Sequence, residues 1–161
     1  MAGVSKEREK SLCKQTMSEI LPNLWLGPLG ITYDKDFLKE NNIRRVVTVF
    51  EECHRTAVLV DLKIESMYIQ LYDKDDSPIG DSFTRAVAFI DEALQKGEGV
   101  YVHCFAGVSR SPTIVAAYLI WSRNMTAQNA LDHIFERRPI IDPNDGFRQA
   151  LFEWESKCKN E

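Results

Sequence analysis

Residues 99–123 constrain this chain more than any other stretch. Gly99-Val100-Tyr101-Val102 is a short apolar run with the β-branched and aromatic character of a strand. From Thr113 to Arg123 the chain is strongly apolar and reads as a buried helix that begins near Pro112. Between the two lies His103-Cys104-Phe105-Ala106-Gly107-Val108-Ser109-Arg110-Ser111. The order is therefore strand, tight loop, helix, with a thiol at the mouth of the loop.

A strand-to-helix loop can turn several backbone N–H groups toward one point, and the helix N-terminus adds its partial positive charge. Such a concavity of amides takes phosphate or sulfate. Phe105 through Ser109 supply the amides, and Ala106, Gly107 and Ser109 are small. Gly107 can adopt a positive φ that a tight loop often needs. Arg110 brings a planar fork of donors that matches two phosphoryl oxygens at once. A cysteine at a helix N-terminus beside an arginine is expected to react as its thiolate, the form that attacks phosphorus. Ser111 can donate a hydrogen bond to the sulfur when it leaves in a second step. The ring of His103 should point away from the phosphate, bonding the loop backbone and helping to tune the thiol.

Cys-x5-Arg alone is a weak signal. Histidine before the cysteine, glycine three after it and Arg-Ser behind make it specific. Together with Pro112-Thr113 and Ala116-Ala117-Tyr118-Leu119, this stretch resembles the extended active-site motif of the dual-specificity protein phosphatases, within the cysteine-dependent protein tyrosine phosphatase superfamily. The resemblance runs over about residues 17–159 and is closest to the small, atypical members. It implies an α/β fold with a central, mostly parallel twisted sheet flanked by helices. It also implies two-step hydrolysis of phosphotyrosine and phosphoserine/phosphothreonine through a phosphocysteine, with no metal and no cofactor. By that match Cys104 is the nucleophile, Arg110 binds phosphate and Ser111 assists breakdown of the intermediate.

The leaving oxygen needs a proton, and a carboxyl group is a suitable donor. Met67 to Tyr72 reads as a strand, followed by the polar loop Asp73-Lys74-Asp75-Asp76-Ser77-Pro78. In the family the acid sits in such a loop about thirty residues before the cysteine. Asp73, Asp75 and Asp76 stand 31, 29 and 28 residues before Cys104. Asp73 is the preferred acid, and all three stay open. Pro143-Asn144-Asp145-Gly146-Phe147 is similar to a family stretch whose asparagine bonds near the phosphate loop; plain capping of the last helix by Asn144 or Asp145 explains it equally well.

With 161 residues the chain fits one domain with a sizeable core. Residues 1–16 read as a polar tail and 17–161 as the catalytic domain. Net charge is −4, which disfavours nucleic acid as a partner. There is no apolar run of bilayer length, no secretory signal core, no prenylation motif, and Ala2 in place of the glycine that myristoylation needs, so no membrane anchor is expected. Cys13, Cys53, Cys104 and Cys158 make no disulfide or zinc pattern. A reactive thiolate points to the cytosol or nucleus. Cys53 is either an ordinary reduced cysteine or a redox partner of Cys104. No coiled-coil pattern calls for an oligomer, so a monomer is expected.

Further elements are legible. Ile20–Gly27 is similar to the family's opening strand, and Arg44–Phe50 is a buried strand. Asp81 or Ser82 caps a helix that runs to Lys96, with Ala86, Phe89, Ile90, Ala93 and Leu94 on one face and Gly97 as its stop. Thr126 caps another with Ala130, Leu131, Ile134 and Phe135 inward, and the last carries Phe147, Leu151, Phe152 and Trp154. Trp25, Trp121 and Trp154 read as core or interface aromatics. Arg137 and Arg138 complement a helix C-terminus, with an anion contact as the alternative.

The loop interior has no lysine, unlike phosphoinositide phosphatases of the superfamily, and RNA triphosphatase relatives resemble the chain less. Phosphoproteins are the implied substrates, with MAP kinase pathway members as candidates, although no kinase-docking domain precedes the catalytic one. A phosphate-binding protein without catalysis would not need both Cys104 and Arg110. A rhodanese-like sulfurtransferase would not explain Ser109-Arg110-Ser111-Pro112 or the acid loop.

Overall fold

The computed structural model describes residues 16–161, so the tail read over 1–16, with Cys13, lies outside the described residues except for Thr16. Five strands form one sheet: β1 (Ser18–Leu21), β2 (Leu24–Gly27), β3 (Ile43–Phe50), β4 (Glu65–Gln70) and β5 (Gly99–His103). Their order is β1-β2-β5-β3-β4; β1 and β2 are antiparallel, and the other three pairings are parallel. The single opening strand expected over Ile20–Gly27 is in fact a hairpin. Pro22 cannot donate to a ladder, and Asn23 takes a left-handed turn conformation at φ 71°.

Among the described residues six α-helices follow in chain order: α1 (Lys35–Glu40), α2 (Ala57–Asp61), α3 (Phe83–Gln95), α4 (Arg110–Arg123), α5 (Ala127–Arg137) and α6 (Asp145–Lys159). The central strands alternate sides. Val47, Val49, Val100 and Val102 face the large core under α3 to α6, whereas Val46 and Tyr101 join Phe37, Leu38, Leu59 and Ile64 beneath α1 and α2. The α/β layering implied by the resemblance is therefore the observed one. Helix α4 is wrapped by α3, α5 and α6, and every residue from Arg110 to Ile120 is buried. That enclosure explains why its sequence is apolar all round rather than striped.

Of the apolar residues read on the last two helices, Phe135 and Phe152 are exposed. Of the core or interface tryptophans, Trp121 is exposed, while Trp154 is buried and donates its indole N–H to the Ala117 carbonyl at 3.0 Å. Ser82 occupies the N-cap of α3 but caps nothing; its hydroxyl donates to the Ile79 carbonyl at 2.6 Å, closing the short 3-10 turn Ile79–Ser82.

The topology decides where chemistry can gather. Parallel strands put their carboxyl ends on one edge of the sheet, where ligands bind in open α/β folds. Glu51 follows β3, Asp73 lies just past β4 and Cys104 follows β5. The start of α6 reaches the same edge through Asn144.

Candidate active site

Helix α4 begins at Arg110, two residues before Pro112, so Arg110 and Ser111 lie in its first turn. The loop before it is shaped by its carbonyls, each of which bonds outward. Cys104 O accepts from His103 Nδ1 (2.9 Å) and Phe105 O from Leu29 N (3.0 Å). Ala106 O and Gly107 O accept from Arg138 Nη2 (3.0 Å) and Nε (2.9 Å). Val108 O accepts from Asp142 N (2.7 Å), and Ser109 O from Thr113. In a trans peptide the next N–H points opposite the carbonyl, so six successive amides from Phe105 to Arg110 turn away from these partners and into the loop. Gly107 stands at φ 67°, and a Cβ there would collide with the Gly27 backbone and the Arg138 guanidinium.

Cys104 is 3% exposed, and its Sγ lies 3.1 Å from Ser111 Oγ. Arg110 is also buried. Its Nη1 donates to the Leu71 carbonyl at 3.0 Å and to the Glu51 carboxylate, and its guanidinium lies 5.3 Å from the centre of the Phe50 ring. Its Nε is buried with no hydrogen-bond partner among the described residues. An unpaired cationic donor beside a ring of amides and a thiol is a place for an oxyanion.

The three aspartates separate. Asp73 Oδ1 accepts from Ser109 Oγ at 2.8 Å and Asn144 Nδ2 at 2.9 Å, which ties it to the phosphate loop. Asp75 Oδ1 accepts from Gly146 N at 3.3 Å, and a Cβ at Gly146 would run into the Asp75 carbonyl, so Asp75 packs against the start of α6. Asp76 is exposed. Asn144 Oδ1 caps α6 at Phe147 N (2.9 Å), while its Nδ2 donates to Asp73 Oδ1 and its own N–H donates to Ser109 Oγ at 3.1 Å.

His103 is fully buried and points away from the loop interior. A carbonyl only accepts, so Nδ1 carries the proton and Nε2 accepts from the Thr48 hydroxyl at 2.8 Å. The contact follows from register, since Thr48 and His103 are partners across β3 and β5. Burial pushes the imidazole down to about 4; the Cys104 carbonyl pulls the other way, and nearby His54 adds to the lowering. The ring is neutral at pH 7 and acts by geometry, not by charge.

This has a measurable consequence. Unfolded, the ring titrates near 6.5; folded, it titrates near 4. The unfolded chain thus binds the extra proton between those values, and the ring's contribution is complete above about 6.5 and lost as pH falls toward about 4. Urea unfolding should show about 2 kcal/mol less stability at about pH 5 than at about pH 7.5 from this group alone. His103→Asn should flatten that slope. An equal slope in the variant would assign it to other groups.

Two residues of the site were missed in the sequence. Arg138 does cap the C-terminus of α5, its N–H donating to the Ile134 carbonyl at 2.8 Å, but it is not a surface charge: it is fully buried, and besides the two loop carbonyls it donates to Thr16 O (2.7 Å) and Ser18 Oγ (3.3 Å). Its neighbour Arg137 does stay at the end of α5, donating to the His133 carbonyl. Glu51 is the other, and only its position after a strand that ends beside β5 hints at it. Cys53 is exposed and Cys104 buried, and neither is in a disulfide among the described residues. A cleft of about 650 Å³ between α3 and α6, floored by Trp121 and Trp154, contains none of the residues at this site.

Known proteins resemble this chain in sequence and fold. The model of the dual specificity phosphatase catalytic domain matches residues 24–157. Dual specificity protein phosphatase 1B of Arabidopsis thaliana is 35% identical over 161 residues, covering 98% of this chain and 93% of that protein. Dual specificity protein phosphatase 1 of Arabidopsis thaliana is 38% identical, covering 88% and 70%. The crystal structure of DUSP15 superposes with a TM-score of 0.80 at 31% identity, covering 90% of this chain and 96% of that one. This chain belongs to the dual-specificity phosphatase family and is a protein phosphatase.

Proposed function

We propose that the chain dephosphorylates phosphotyrosine and phosphoserine/phosphothreonine in proteins through a phosphocysteine at Cys104. The observation that carries this reading is the loop itself: six outward-bonded carbonyls, with the buried Arg110 Nε unpaired beside Cys104. The phosphoryl oxygens bind the inward amides of Phe105 to Arg110 and the free edge of the Arg110 guanidinium. The Cys104 thiolate attacks phosphorus, the P–O bond to the leaving group breaks, and Asp73 gives its proton to the departing oxygen. In the second step water attacks phosphorus and gives a proton to the Asp73 carboxylate. The S–P bond breaks, and the Ser111 hydroxyl donates a hydrogen bond to the departing sulfur across the 3.1 Å contact. Every proton and electron pair is returned, so the cycle needs no metal and no redox partner.

Substrates are phosphoproteins, with members of MAP kinase pathways as candidates. The enzyme acts as a monomer in a reducing compartment, cytosol or nucleus, where a thiolate persists. Among the described residues, no helix is long and apolar enough to cross a membrane. The test is phosphate release from matched phosphotyrosine and phosphothreonine peptides by the reduced protein in EDTA. Release from both is expected. Folded, reduced protein that releases none from either sinks the reading.

A further inference from the structure

The guanidinium of Arg110 is gripped from one side only. Its Nη1 donates to the Leu71 carbonyl at 3.0 Å and to Glu51, and the Phe50 ring lies against its face at 5.3 Å. Two of these three supports come from adjacent residues at the end of β3. Among the described residues Nε has no hydrogen-bond partner, and it is buried. An arginine offers two edges to an oxyanion, and the Nε–Nη2 edge meets two oxygens in parallel. Tying Nη1 down leaves that edge for phosphate.

We propose that Glu51 is a positioning residue for the phosphatase reaction, fixing the Arg110 guanidinium so that its Nε edge is presented to the substrate phosphate. The inference rests on the phosphatase reading above. Its neighbour Glu52 is exposed, carries the same charge and gives the control that separates orientation from electrostatics. A carboxylate near a phosphate also repels it, so loss of Glu51 by itself should favour anion binding. If orientation dominates, the effect has the opposite sign.

The experiment measures kcat and KM for p-nitrophenyl phosphate, with inorganic phosphate as competitive inhibitor, in Glu51→Ala, Glu51→Gln and Glu52→Ala. Glu51→Ala is expected to raise the phosphate inhibition constant and KM by about tenfold or more, the scale of a lost hydrogen bond to a charged group. Glu51→Gln keeps an acceptor on the same stem and should stay within about threefold of wild type, whereas Glu52→Ala should stay within about twofold. In an Arg110→Lys background, where there is no fork to orient, Glu51→Ala should add less than about twofold. Unchanged or tighter phosphate binding in Glu51→Ala overturns the proposal. Should that variant fail to fold, Glu51→Asp, which withdraws the acceptor by one methylene, takes its place: weaker phosphate binding supports the proposal, and unchanged or tighter binding overturns it. Phosphate binding followed by calorimetry reports on Glu51 even if wild type hydrolyses nothing, so the two readings can fail separately.

Discussion

Cys104→Ser is expected to lower p-nitrophenyl phosphate hydrolysis by on the order of 10⁴-fold or more, while phosphate binding stays within a few-fold of wild type. The split follows from how the site is built. The anion cradle is made of backbone amides fixed by outward-bonded carbonyls, and none of those bonds uses the sulfur. Replacing sulfur by oxygen keeps a hydrogen-bonding atom against Ser111 Oγ, so the first turn of α4 has no reason to rearrange. What disappears is the proposed nucleophile, because a serine hydroxyl is a weak attacking group without an adjacent base to activate it. The variant should hold a phosphotyrosine peptide without turning it over, which calorimetry and a rate assay would show together. Residual hydrolysis within about tenfold of wild type would mean that another group attacks phosphorus. Loss of binding as well would mean that the sulfur supports the loop.

The contrast between what the sequence shows and what it hides has a physical origin. Cys104, Arg110 and Ser111 are close in the chain, so spacing alone brings them together. The caps at Thr126 and Asn144 are equally local and form as expected. Arg138 and Glu51 act on the loop across 31 and 59 residues. Their place depends on strand order and on how α5 ends against the loop, neither of which a local pattern encodes. A buried arginine also reads as a surface charge until its partners are known to be backbone carbonyls. The missed hairpin has a different cause: the break at Pro22-Asn23 lies inside an otherwise apolar run.

Asp73→Asn is expected to cost about 10²-fold or more on phosphoserine and phosphothreonine peptides, and much less on p-nitrophenyl phosphate. The leaving group decides the size. An alkoxide leaves poorly without a proton, while p-nitrophenolate is stable enough to leave almost unaided. Asparagine keeps the acceptor oxygen that meets Ser109 Oγ and Asn144 Nδ2, so the loop geometry survives and the loss reports on the proton. Both bonds of Asp73 go to Oδ1, which leaves Oδ2 as the oxygen to carry that proton. Asp75→Asn should behave otherwise. Its oxygen accepts from the Gly146 amide, an acceptor role that asparagine retains, so kcat should stay within about twofold on every substrate. Asp76 is exposed and makes no side-chain hydrogen bond among the described residues, so its variant should be indistinguishable from wild type. Rates for the three variants on one phosphothreonine peptide and on p-nitrophenyl phosphate separate the cases. If Asp75→Asn or Asp76→Asn carries the leaving-group-dependent loss and Asp73→Asn does not, the acid has been placed on the wrong carboxylate. A uniform loss on both substrates in Asp73→Asn would make Asp73 a brace for Ser109 and Asn144 rather than a proton donor.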